Sequence, residues 1–104
     1  MSAAFETTFS VPVTHPSLPG HFPGAPVVPG VVVLEQVLRA AERWLGSSVS
    51  VSGISQAKFL APLLPGVEAR ALLKMEPVRL SFRIECSGRT IALGEFLLRT
   101  ERGS

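Results

Sequence analysis

Residues 15–46 read HPSLPGHFPGAPVVPGVVVLEQVLRAAERWLG, and the stretch changes character at its middle. Proline recurs at 16, 19, 23, 26 and 29, so the first half is a stiff loop. From Val31 onward apolar residues stand at 31, 34, 37, 38, 41, 44 and 45, the three- and four-residue spacing of one helix face. Pro29-Gly30 marks the start of that helix and Gly46 its stop, which predicts a helix over Val31 to Leu45. Three consecutive valines are poor helix formers, so burial has to outweigh propensity here.

Outward from the helix the pattern is one of strands. FETTFSVPV (5–13) alternates, with Phe5, Thr7, Phe9, Val11 and Val13 on one side, and Pro12 near its end favours a sheet edge or an exit from the sheet. In VEARALLKME (67–76) the odd positions are apolar; in LSFRIECS (80–87) the even ones are, with turns at Glu76-Pro77 and Ser87-Gly88. TIALGEFLLRTE (90–101) is apolar at 91 and 93, then at 96 and 98, which predicts a β-bulge at Gly94-Glu95. VSVSGISQAKFLAPL (49–63) is a less regular strand ending at Pro62 or at Pro65-Gly66. Strand, loop, long helix and four strands on short turns predict an α+β fold, an antiparallel sheet with the helix on one face. Without repeat or linker, residues 1–104 read as a single domain.

Composition narrows the functional classes. With 104 residues, 46% of them hydrophobic and 17% charged, the chain is apolar for its size. It buries about two-thirds of its unfolded surface if it folds alone, or covers part of that surface by self-association. The opening MSAAFETTFS lacks the basic and apolar regions of a secretory signal. No apolar run approaches the roughly 18–20 residues of a membrane span, and the lone Cys86 excludes an internal disulfide. The chain therefore reads as soluble and cytoplasmic. A net charge of +2 without a basic run, and with no tyrosine, argues against nucleic-acid binding. An acidic protein partner or a phosphate-bearing ligand suits the charge, as does a plain solvated surface.

Three residues carry the chemistry. His21 sits between Gly20 and Phe22-Pro23-Gly24, in a loop stiff enough to hold a proton-transferring imidazole; the other reading is a histidine that only hydrogen-bonds its loop. Glu35 lies one turn into the helix on the margin of the apolar stripe. Desolvation there suits a general acid, and the helix dipole explains a first-turn glutamate equally well. Gly30 stands at the helix start with no side chain to cap the free N–H groups. Those groups can stabilise negative charge on a carbonyl oxygen, or the glycine simply makes a tight turn. Base, acid and oxyanion site within 15 residues suit proton abstraction α to a carbonyl with loss of a β-leaving group. His15, ahead of Pro16, has no carboxylate near it in sequence and reads as structural. Two histidines without clustered acids make no metal site, and neither Ser17 nor any glycine-rich loop matches a nucleophile elbow or phosphate loop.

Gly20-His21-Phe22-Pro23-Gly24, Pro29-Gly30-Val31 and Leu34-Glu35, with 14 residues from His21 to Glu35, resemble the 3-hydroxyacyl-[acyl carrier protein] dehydratases of the hot-dog fold. KFLAPLLPG (58–66) is similar to a second block of that family, and the resemblance spans about residues 5 to 100. It implies an antiparallel sheet wrapped around one long central helix, and a dimer with a continuous sheet. His21 of one chain would face Glu35 of the other, with Gly30 and Val31 N–H groups on the thioester oxygen. Phe22, Pro29, Leu34, Leu38 and Phe59 would line a substrate tunnel, with no metal or cofactor. The implied partners are an acyl carrier protein or coenzyme A thioester, and a second hot-dog subunit, identical or different, or a higher oligomer. By charge alone Arg39, Arg43, Lys58 and Arg70 would dock an acidic carrier. Arg39 stands where the family often carries Gln, and no tyrosine is present to serve as a gate. A hot-dog acyl thioesterase and a non-catalytic carrier-binding subunit are the competing readings.

Overall fold

A computed structural model describes residues 3–14 and 27–99. The elements are β1 (Ala3–Phe9), α1 (Gly30–Leu45), β2 (Val51–Phe59), β3 (Ala69–Glu76), β4 (Arg79–Cys86) and β5 (Arg89–Leu98). The five strands form one sheet in the order β1-β3-β4-β5-β2, and every neighbouring pair is antiparallel. β3, β4 and β5 follow one another through short turns, whereas β2 returns to the far edge beside β5.

Alternation decides which side of the sheet meets the helix. Ala69, Ala71 and Leu73 of β3, with Leu80, Phe82 and Ile84 of β4, are buried, while Arg70, Lys74 and Arg83 between them are exposed. Val32, Val33, Val37, Ala40 and Ala41 give the helix its buried face. Alanines on both surfaces let the helix lie close to β3 and β1, its nearest strands. That burial holds Val32 and Val33 helical against their propensity, whereas Val31 is exposed and lies off the buried face. Trp44 stacks on Phe5 with ring centroids 5.1 Å apart and planes 10° from parallel, closing the C-terminal end of the helix onto β1.

The ends of the helix follow the sequence. Gly46 takes a left-handed conformation, φ 72°, and donates its N–H to the Glu42 carbonyl at 2.8 Å. The Glu42 carboxylate then accepts the Val49 N–H at 3.0 Å, tying the helix exit to the approach of β2. Ser87 and Gly88 both have positive φ, 53° and 78°, as the tight turn between β4 and β5 requires.

Four expectations need correction. β1 ends at Phe9 rather than running to Val13. The Val11 carbonyl accepts the Gly66 N–H at 2.7 Å, drawing the chain off the sheet with Val11 buried and Val13 exposed. β2 ends at Phe59, short of either proline, and β3 begins at Ala69 rather than Val67. The bulge expected at Gly94-Glu95 is displaced. β5 passes regularly through both residues against β4, and its register against β4 shifts at Ile91, between the pairs Ile84–Ala92 and Glu85–Thr90. Two further shifts lie in β2, between Val51 and Gly53 and between Ile54 and Gln56. The inward residues of β5 are Ala92, Gly94 and Phe96, and the first two are too small to register as an apolar side of a strand.

Candidate active site

The site begins at the N-terminus of α1. Pro29 precedes the helix in extended conformation and no side chain caps it. Its carbonyl accepts the N–H groups of Val32 at 2.9 Å and Val33 at 3.2 Å. The N–H groups of Gly30 and Val31 have no backbone acceptor among the described residues. They form the positive end of the helix dipole, with donors available to an oxygen.

Beside these donors opens a cleft of about 460 Å³, lined by Val27–Gly30, Val33, Phe59–Leu63, Ile91 and Ala92. Two sets of hydrogen bonds fix its walls. Val28 N–H donates to the Leu63 carbonyl at 2.9 Å. The Ile91 carbonyl, next beyond the Phe59–Ala92 pair, accepts both Leu60 N–H at 2.8 Å and Ala61 N–H at 3.2 Å. Phe59 leans on the helix itself. A Cβ built on Gly30 would stand 2.9 Å from the end of the Phe59 ring, so glycine is what lets the ring approach. The walls are apolar, and the uncapped helix end lies among them.

The structure gathers some of the expected site residues. Gly30 and Val31 carry N–H groups without a backbone acceptor among the described residues, and Pro29 and Phe59 line the cleft. Leu34 and Leu38 do not line it; they lie further along the helix and pack half-buried against the core. Glu35 is likewise away from the cleft of its own chain. Its side chain is 46% exposed rather than desolvated, and it accepts a hydrogen bond from Arg39 Nη2 at 3.3 Å. His15, His21 and Phe22 lie outside the described residues.

The four cations expected to dock a carrier divide. Arg70 is engaged by Glu6 at 2.7 Å and Glu85 at 3.4 Å, bridging β1, β3 and β4 on the outer face of the sheet. The hydrogen bond and charge of Glu6 raise its pKa above the ordinary arginine value. Arg39 is paired with Glu35. Among the described residues, Arg43 and Lys58 have no ion-pair partner.

Leu60–Leu63, Val33, Ile91 and Ala92 escaped the sequence reading. The KFLAPLLPG block pointed to the first of these segments without giving it a role. Nothing in the alternation pointed to Ala92. Apolar surface also remains open around the site: Val31 is 71% exposed, Leu60 58% and Phe59 48%.

Residues 2–95 match the family model described as ApeI-like: ApeI dehydratase. The 3-hydroxyacyl-[acyl-carrier-protein] dehydratase FabZ of Symbiobacterium thermophilum is 32% identical over 77 residues, covering 67% of this chain and 54% of that protein. FabZ of Chlamydia trachomatis serovar D is 39% identical over 66 residues, 55% of this chain and 43% of its own length. The chain thus spans about half the length of the curated relatives it matches. Among solved structures, an uncharacterized protein from Erwinia carotovora subsp. atroseptica superimposes with a TM-score of 0.84 at 28% identity, covering 95% of this chain and 85% of that one. The dehydratase heterocomplex ApeI:P from Xenorhabdus doucetiae gives a TM-score of 0.74 at 30% identity, with 91% and 86% covered. The (R)-hydratase from A. caviae shares the fold, TM-score 0.71 at 15% identity over 96% of each chain.

Proposed function

The chain belongs to the ApeI-like dehydratase family and has its hot-dog fold, and from that premise we propose that it dehydrates a 3-hydroxyacyl thioester to the trans-2-enoyl thioester. The acyl group is carried by acyl carrier protein, in fatty-acid or related polyene or polyketide synthesis. The observation that carries this reading is the uncapped helix N-terminus opening into an apolar cleft. A thioester carbonyl on the Gly30 and Val31 N–H groups would have its developing enolate charge stabilised where the dipole is positive. His21 removes the C2 proton, the C3–O bond breaks, and Glu35 supplies the proton with which the hydroxyl leaves as water.

Glu35 does not face the cleft of its own chain, so the proposal requires a second hot-dog subunit, a copy of this chain or a different hot-dog chain. Support comes from the position of β2 at the sheet edge and from the exposed Phe59, Leu60 and Val31 near it. Arg43 and Lys58, with no ion-pair partner among the described residues, are the cations we assign to an acidic carrier. We place the protein in the cytoplasm with that carrier; among the described residues no helix is long and apolar enough to cross a membrane.

Purified protein incubated with a 3-hydroxyacyl carrier thioester is expected to form the conjugated enoyl product. His21→Ala should lower kcat/KM by about 10²–10⁴-fold, the usual contribution of a positioned acid–base group. An unchanged rate in that variant would refute the mechanism, and release of free thiol without enoyl product would mean a thioesterase. The Glu35–Arg39 ion pair favours a second reading, a subunit that binds acyl carrier while its partner supplies the proton donor. Carrier binding without turnover, undiminished in Glu35→Gln, would select it.

A further inference from the structure

The cleft beside the helix end has a rim and a floor of different construction. Phe59 and Leu60 at the rim are half exposed, whereas Val28, Val33, Leu63, Ile91 and Ala92 are buried. Within that buried floor Ala92 alone is small. It lies directly opposite Phe59 of β2 on one side and Ile84 of β4 on the other. One step along the inner face, Gly94 lies opposite Phe82. A Cβ on Gly94 would stand 2.7 Å from the Phe82 ring, so the ring fills that position. Free volume therefore ends behind Ala92: a methyl group leaves the cleft open, and any larger side chain there has only the cleft to grow into.

We infer that Ala92 sets the length of acyl chain the cleft admits, with the Phe59 ring as the wall along which the chain enters. The inference rests on the reading of the cleft as the acyl site, and it names the residue that selects among acyl thioesters. The chain end meets the Ala92 methyl once the thioester carbonyl reaches the helix N–H groups. Leucine at position 92 would occupy the volume of the last chain carbons.

Unreactive S-(2-oxoalkyl) coenzyme A analogues of increasing chain length, which keep a carbonyl for the helix N–H groups, titrated calorimetrically into the full chain, test this without requiring turnover. Affinity should rise about fourfold per methylene up to a limiting length and then level off. In Ala92→Leu the limit should fall by about the three carbons that leucine adds, and in Ala92→Val by less. Phe59→Leu should weaken all lengths by a similar factor and leave the limit in place. Valine is the milder change should leucine prevent folding, which the melting temperature reports. An unmoved limit in a folded variant, or wild-type affinity indifferent to length, overturns the inference. Enoyl product together with an unmoved limit removes this inference alone; a moved limit without enoyl product removes only the dehydratase reading.

Discussion

Gly30 is where two demands meet in one residue. It is the first residue of a helix whose capping position, Pro29, makes no side-chain hydrogen bond, and its lack of a side chain admits the Phe59 ring to the helix surface. Alanine at this position should therefore separate stability from function. Helix propensity favours alanine by about 1 kcal/mol, and the atom it meets is the end of a half-exposed ring that can turn aside. The ring, however, lines the cleft, so displacing it changes the cleft's shape. Gly30→Ala is expected to keep or slightly raise the melting temperature while lowering kcat/KM by at least about tenfold, since small misplacements at a reacting centre are costly. A fall in melting temperature with unchanged kcat/KM would contradict this account of the residue. Gly30 stood out in the sequence because proline precedes it and an apolar helix follows. Its neighbour Phe59 is 29 positions away and its contact is tertiary, so no local pattern could pair them.

At the scale of elements, legibility followed side-chain size. The helix bounds were read to within one residue from the apolar spacing and a terminal glycine, but its face was not: Val32, Val33 and Ala40 are buried outside the expected stripe, while Val31 and Leu45 within it are exposed. β3 and β4 were read from alternation between Ala69 and Cys86, where large inward residues face charged outward ones. β5 misled because its inward positions carry alanine and glycine; the apparent slip at Gly94-Glu95 reflects small residues rather than a bulge. Gly94 owes its identity to the Phe82 ring on one side and the Gln56 carbonyl of β2 on the other. Neither can yield as Phe59 can, since the ring is buried and the carbonyl belongs to the backbone. Gly94→Ala should cost about 1–3 kcal/mol in urea unfolding, the range for overpacking a filled interior. A loss below half a kilocalorie would mean that β2 and β5 pair more loosely than their register implies.

For the whole molecule, the apolar composition has an outlet in the surface around Val31, Phe59 and Leu60. Those residues border the cleft, and β2 offers its free edge beside them. The motif gave the chemical types at fixed spacing, but spacing along one chain carries no information about which subunit supplies each group. Glu35, turned toward solvent and held by Arg39, makes that gap concrete. If two subunits share each site, inactive variants should repair one another. His21→Ala and Glu35→Gln proteins, each nearly inactive alone, would on random exchange form mixed dimers with one intact site in two. Total activity would recover to about a quarter of wild type. Measuring enoyl product after co-refolding the two variants tests the central claim most directly. The account predicts that recovery, and a mixture as inactive as its separate components, with dimer exchange verified, would contradict it.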